Sequence, residues 1–274
     1  MKQILITGAN AGLGLASSKM LAKAGHHVIM LCRNQERGSA ALQEVQQQGS
    51  AELVLCDLSD MEDIRSFAAT FQERKIDVLL HNAGVVLTSK QVTKQGFEAT
   101  IAINHLAVYC LTHELWGCLS FGSRVVVVSS DAHWSARLNL KTWMAEKKYS
   151  TIQQYGASKL CNILFASFLA ARAQKQGITV NSVHPGGVNT NLGDSNKVWY
   201  AFVGRLIKRF LLSPEQGADT QVWLSVAPEM AGQTGGYYYK RKPRIMNRQA
   251  QDMDLASEVW TTSAKLLNID PNWP

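Results

Sequence analysis

Tyr155 and Lys159 stand four residues apart in Tyr155-Gly156-Ala157-Ser158-Lys159, the spacing that places two side chains on one face of a helix. A phenol titrates near ~10 and transfers a proton at neutral pH more readily when a nearby ammonium stabilises its phenolate. The bare pattern is weak, because with seven tyrosines in the chain chance supplies roughly 0.4 such matches. Tyr238 and Lys242 form a second one. Only Tyr155 falls on an expected helix that begins after a long loop at the end of a strand, so context selects it. Ser129-Ser130 closes the run Val125-Val126-Val127-Val128, where the Ser130 hydroxyl is placed to hydrogen-bond a carbonyl oxygen that gains negative charge. Asn104 is placed to order a water or brace that group. Taken singly, Ser130 also reads as a strand-end cap and Asn104 as a buried amide.

A second group of residues fits a dinucleotide. Thr7-Gly8-Ala9-Asn10-Ala11-Gly12-Leu13-Gly14 follows the first apolar run and opens into a helix. Glycines let backbone turn tightly and approach a pyrophosphate, and a helix N-terminus offers unpaired N–H groups to it. The spacing is GxxxGxG rather than the commoner GxGxxG. Arg33, in Leu31-Cys32-Arg33-Asn34, lies nineteen positions after Gly14. An acid there would accept from a ribose 2′-hydroxyl, whereas arginine holds a 2′-phosphate, so NADP(H) is expected over NAD(H), with NAD(H) the alternative. Asp57-Leu58 would line the adenine pocket, and Asp57 also reads as a turn cap. Asn82-Ala83-Gly84 closes a strand beside the expected cofactor channel.

The elements that must carry these residues are legible as alternating patterns. Apolar, β-branched runs occupy 3–7, 27–31, 52–56, 76–81, 124–129, 178–184 and 235–239, and strands this continuously apolar belong to a parallel sheet covered on both faces. Helices are expected over 12–24, 35–48, 60–74, 94–118, 152–176, 215–226 and 253–268, with starts marked by Asp60 and by Ser213-Pro214-Glu215. The expected fold is a doubly wound Rossmann-type α/β sheet, one domain over residues 1–274. Segments 131–151 and 186–214 fit neither strand nor helix of the sheet and are read as a substrate loop and a helical lid.

The 274 residues carry 28 Lys plus Arg against 21 Asp plus Glu, a net charge of +7. Nine of those cations fall in two acid-free segments: Lys197, Arg205, Lys208 and Arg209, then Lys240, Arg241, Lys242, Arg244 and Arg248. Without the nine, 28 falls to 19 basic groups against 21 acids, so the excess belongs to two patches. No nucleic-acid motif accompanies them and no nucleic-acid partner is expected. Trp199, Phe202, Val203, Leu206 and Phe210 make an apolar stripe at helical spacing, so 197–214 is read as a lid over an apolar substrate, a peripheral membrane contact, or a helix packed on the core. Lys240 to Arg248 is read as a solvated tail loop or subunit contact. Five cysteines without a CxxC pair read as free thiols in a reducing compartment. No His/Cys cluster has metal-ligand spacing, so no metal is expected. With no targeting segment, a soluble cytoplasmic protein is expected.

In this order the residues resemble the short-chain dehydrogenase/reductase family from residue 2 to about 268: the Thr7–Gly14 loop, Asn82-Ala83-Gly84, Asn104, Ser130, Tyr155 with Lys159, and Pro185-Gly186 followed by Thr190. The resemblance implies that Tyr155 is the general acid/base, that Lys159 lowers its pKa and holds the nicotinamide ribose, that Ser130 orients the substrate carbonyl and that Asn104 maintains a proton relay. It also implies that Pro185, Val188 and Thr190 contact the nicotinamide end. Leu31-Cys32-Arg33-Asn34, Ser158 to Asn162, Ser213 to Ala218, Gly235 to Tyr238, Glu258-Val259-Trp260 and the 24-residue gap between Ser130 and Tyr155 resemble the retinol dehydrogenase-like branch, which includes the WW-domain oxidoreductase and the light-dependent protochlorophyllide reductases. His81 replaces the usual first asparagine of the NNAG pattern, and the branch's frequent N-terminal membrane anchor is not expected. The implied activity is NADP(H)-dependent interconversion of a carbonyl and an alcohol on an apolar small molecule. A light-dependent tetrapyrrole reductase and a non-catalytic nucleotide-sensing scaffold are the alternatives, and homodimer and monomer both stay open.

Overall fold

The computed structural model describes residues 1–144, 149–187 and 212–274. Alternate side chains of the central strands feed two different cores. Ile4 and Ile6 of β1 (Gln3–Thr7) join one apolar cluster and Leu5 the other. Val125 and Val127 of β5 (Arg124–Val128) likewise oppose Val126 and Val128. Such period-two division between two buried faces is why these strands read as unbroken apolar runs. The remaining strands are β2 (His27–Cys32), β3 (Ala51–Leu55), β4 (Val78–His81), β6 (Thr179–Val183), β7 (Tyr237–Tyr239) and β8 (Lys242–Pro243). The sheet order is β3-β2-β1-β4-β5-β6-β7-β8. Pairing is parallel throughout except between β7 and β8. The fold is therefore the expected doubly wound α/β sheet, with its topological switch between β1 and β4.

Among the described residues the α-helices are α1 (Gly12–Lys23), α2 (Gln35–Gln46), α3 (Met61–Ala69), α4 (Ala99–Ile101), α5 (Ala107–Glu114), α6 (Thr151–Ala173), α7 (Pro214–Val226) and α8 (Met253–Leu267). Asp60 and Ser213 cap α3 and α7 as expected, Ser213 with Gln216 in a full capping box. Two expectations need correction. The helix read over 60–74 ends at Ala69, where the Thr70 hydroxyl donates to the Phe67 carbonyl at 2.7 Å. The single helix read over 94–118 is three pieces, because α4 passes into a π-helical turn over Ala102–Leu106 before α5. Such turns widen a helix by one residue and recur at functional sites; this one carries Asn104.

Candidate functional site

The glycine loop is shaped by close backbone approach. Gly8 and Gly12 have φ of +65° and +52°, and a Cβ on Gly14 would stand 2.2 Å from the Gly8 carbonyl oxygen. Thr7 fixes the neighbouring strand end, its Oγ1 accepting from the N–H groups of Asn82 at 3.0 Å and Ala83 at 2.9 Å. Asn82 Nδ2 donates back to the Thr7 carbonyl at 2.9 Å. These ends enclose a cavity of about 300 Å³. Gly8, Asn10, Gly12, Leu13, Gly14, Arg33, Asn34, Asp57, Leu58, Asn82, Ala83 and Gly84, the candidate cofactor residues, all line it. Asn34 also caps α2, accepting from the Arg37 N–H at 2.8 Å, and Asp57 Oδ1 also closes a turn, accepting from the Ser59 N–H and hydroxyl at 2.9 and 2.7 Å. Asp57 thus caps a turn, one of its two readings, while lining the cavity.

The lining of the cavity suits the anionic groups of a dinucleotide. Asn34, Asp60, Ser150, Ser213 and Asp252 each cap the following helix with a side-chain oxygen, whereas Ala11 before α1 offers none and α1 has no acid in its first turn. The N–H groups of that turn thus face the glycine loop with a positive dipole end, suited to a pyrophosphate. Arg33 and Arg37 line the same cavity and suit a further anionic group.

At its other end the cavity reaches Gly84, Val85 and Ile103, next to Lys159 and Asn104. A Cβ on Gly84 would stand 3.2 Å from Lys159 Nζ and 3.4 Å from Asn104 Oδ1. Asn104 is fully buried; its Oδ1 accepts from the Val85 N–H at 2.7 Å, and its Nδ2 donates to the Val85 carbonyl at 2.9 Å and to Ser158 Oγ at 3.0 Å. Ser158 Oγ donates in turn to the Tyr155 carbonyl at 2.8 Å. Lys159 Nζ donates to the Val128 carbonyl at 3.1 Å and lies 5.6 Å from the centre of the Tyr155 ring. Burial lowers the Lys159 ammonium to about 8, since removing a cation from water favours its neutral form. Tyr155 is half-buried.

Ser130 caps the turn Asp131–Ser135, its Oγ accepting from the Ala132 N–H at 3.1 Å. That turn touches the start of α6 closely, because a Cβ on Gly156 would meet the Ala132 carbonyl at 2.8 Å and Ser135 Oγ at 2.9 Å. Gly156 thus sets Tyr155 beside the Ser130 turn. Pro185 and Gly186 follow β6, but Pro185 lines a second, open cavity with Leu212, Tyr239 and residues of α7 instead of the glycine-loop cavity. Val188, Thr190 and nearly all of the basic segment 197–214 lie outside the described residues.

Sequence reasoning passed over several residues of this region. Arg37 lies four residues after Arg33, in the first turn of α2, and its nearness in sequence to Arg33 could have singled it out. Asn162, three residues after Lys159, donates to the same Val128 carbonyl at 3.3 Å; its place on the Tyr155–Lys159 face was a readable signal. Gln221 donates to Ser17 Oγ at 2.7 Å and Asn82 Oδ1 at 3.2 Å, and its separation from both in sequence left no local signal.

Residues 2–201 match the family described as short chain dehydrogenase. The chain belongs to the short-chain dehydrogenase family. This short-chain dehydrogenase is 34% identical over 275 residues to retinol dehydrogenase 12 of Mus musculus, spanning 98% of this chain and 87% of that protein. Retinol dehydrogenase 11 of Homo sapiens is 35% identical over 279 residues, spanning 98% and 86%. The crystal structure of an uncharacterised protein from Mycobacterium paratuberculosis shares the fold at a TM-score of 0.82 and 30% identity, covering 100% of this chain and 96% of that one. The chain is thus an NAD(P)-dependent dehydrogenase/reductase of the retinol dehydrogenase-like branch. No helix among the described residues is long and apolar enough to cross a membrane.

Proposed function

We propose that this chain interconverts a carbonyl and an alcohol on an apolar substrate of the retinoid or long-chain aldehyde class, with NADP(H) preferred. The observation that carries the reading is the placement of Lys159, buried between the Val128 carbonyl and Gly84 and one helical turn after Tyr155, at one end of a cavity whose other end holds Arg33 and Arg37. The substrate class is supported by the retinol dehydrogenases that the chain resembles over nearly its whole length.

Bound nicotinamide would supply or accept the hydride, and the glycine loop, Asn82-Ala83-Gly84 and Lys159 are the residues that would hold the cofactor. In the reductive direction Tyr155 Oη gives its proton to the carbonyl oxygen, and the Ser130 hydroxyl hydrogen-bonds that oxygen as its negative charge grows. Lys159 favours the resulting phenolate by charge. Asn104 holds the Val85 backbone and, through Ser158, the α6 turn that carries Tyr155. A panel of retinal, aliphatic aldehydes, steroids and quinones with NADPH tests the reading: reduction of an apolar carbonyl is expected, and absence of turnover across the panel would overturn it.

Arg33→Ala is expected to weaken NADPH binding by about 10- to 100-fold, as for loss of a charged hydrogen bond worth ~1.5–3 kcal/mol, and to leave NADH binding unchanged. Fluorescence titration with both nucleotides checks this; equal dissociation constants in the wild type would remove the preference. The lowered Lys159 gives a pH prediction. Below pH about 8 the ammonium is charged in both folded and unfolded chains, and between about 8 and its ordinary value near 10.5 only the unfolded chain keeps the proton. Stability referable to Lys159 therefore rises with pH across that window, while the charge offered to an anionic cofactor is lost. NADPH affinity is expected to fall from about pH 7 to about pH 9.5 in the wild type and to change less in Lys159→Met, as measured by the same titration.

A further inference from the structure

The second basic segment is not simply solvated. Lys240 and Arg241 form the turn between β7 and β8 with φ of +48° and +57°, and Arg241 binds the Asp219 carboxylate with two of its nitrogens. The Arg244 N–H donates to the Tyr237 carbonyl at 2.7 Å, fixing the backbone from which its side chain reaches across to Asp131. Arg244 Nη2 donates to Asp131 Oδ2 at 2.6 Å, and the Tyr237 hydroxyl donates to Asp131 Oδ1 at 3.2 Å. The Asp131 N–H donates to His184 Nδ1 at 3.3 Å, and His184 Nε2 lies 3.5 Å from Asp131 Oδ2. Asp131 directly follows Ser130.

A second tether reaches the same turn. The Asn247 N–H donates to His133 Nε2 at 3.3 Å and Asn247 Nδ2 to the His133 carbonyl at 2.8 Å. With Nε2 accepting, the His133 proton sits on Nδ1, which donates to the Ser130 carbonyl at 2.8 Å. Arg244 and Asn247 thus grip residues 130–133 from one side, and Gly156 of α6 meets them on another. We propose that the hairpin segment 240–247 is a clamp that holds the Ser130 turn in register with Tyr155, and that Arg244 and Asp131 are positioning residues for the reaction. This rests on the functional reading above, in which Ser130 and Tyr155 share the substrate oxygen. Without Arg244 the half-buried Asp131 carboxylate loses its only direct hydrogen bond from a cation among the described residues. The residue after Ser130 then gains other arrangements, and displacement of a reacting group by an ångström slows chemistry far more than it weakens binding.

The test compares Arg244→Met, Arg244→Lys, Asp131→Asn and the Arg244→Met/Asp131→Asn double variant, with retinal as the carbonyl, or nonanal where it turns over faster. Arg244→Met is expected to lower kcat about tenfold, with KM and NADPH dissociation constant within about twofold. The isotope effect on kcat with NADPH deuterated at both C4 positions should rise, and amides of 130–135 should exchange faster. Arg244→Lys should recover most of the rate, and the double variant should be no slower than the slower single one. A merely structural role would lower the active fraction and melting temperature with the isotope effect unchanged; that outcome, or wild-type kcat in Arg244→Met, would overturn the clamp. If Arg244→Met does not fold, Asp131→Asn carries the same comparison. Tyr155→Phe run in parallel separates the two claims: an active Tyr155→Phe sinks the functional reading, whereas an inactive one beside a wild-type-like Arg244→Met sinks the clamp alone.

Discussion

Replacing Tyr155 by phenylalanine is expected to lower kcat for carbonyl reduction by about 1,000-fold, within the range that a positioned general acid supplies, while the NADPH dissociation constant stays within about twofold. The substitution removes one oxygen and keeps the ring. Lys159, the glycine loop and Asn82-Ala83-Gly84 keep their places, because Lys159 is held by the Val128 carbonyl and the loop by Thr7 and Asn82, none of which depends on the phenol oxygen. Steady-state kinetics beside cofactor titration separates the two quantities. Wild-type turnover in the variant would show that another group supplies the proton.

Gly14→Ala carries the second large effect, for a steric reason. The added methyl would stand 2.2 Å from the Gly8 carbonyl oxygen and 2.6 Å from Asn82 Nδ2, and neither neighbour yields easily. Gly8 sits at φ +65° with its N–H donating to the Leu31 carbonyl at 2.9 Å, and Asn82 is bonded to the Thr7 carbonyl. Overfilling a packed site costs about 1–3 kcal/mol, and here the displaced atoms are the cofactor loop itself. NADPH affinity is expected to fall about 100-fold or more, equivalent to ~2.7 kcal/mol, together with a lower melting temperature. Gly117→Ala is the control, since a Cβ there would meet nothing nearer than 3.9 Å; it should leave both quantities near wild type. Unchanged NADPH binding in Gly14→Ala would separate the loop from the cofactor.

The parts of the molecule legible in its sequence are those set by local chemistry. Val125 to Val128 announce a strand buried on both faces, the glycines announce a loop that no Cβ could share, and Asp60 and Ser213 announce helix starts. Tyr155 and Lys159 could be paired because helical spacing is a local property. The π-helical turn around Asn104 was not legible, because Ala102, Leu106, Ala107 and the residues around them are buried almost all round, and apolarity on every side carries no period from which a widened turn can be read. The Arg244–Asp131 pair was hidden for a different reason: 113 positions separate its members, and a run of cations in sequence reads as solvent-facing until the fold supplies carboxylates opposite it. Ser130 shows the limit from the other side, since its hydroxyl does cap a turn, as the plainer reading held, and still stands beside the helix that carries Tyr155.

The central claim is that hydride passes between a nicotinamide and a carbonyl carbon beside Tyr155. It is tested most directly by incubating the protein with NADPH carrying deuterium at both C4 positions of the nicotinamide and the apolar carbonyl it reduces fastest, then locating the label by mass spectrometry. Deuterium on the carbinol carbon of the alcohol, formed by the wild type and nearly abolished in Tyr155→Phe, is the predicted result. An alcohol without label, label formed equally by Tyr155→Phe, or no alcohol from any carbonyl of the panel would contradict it.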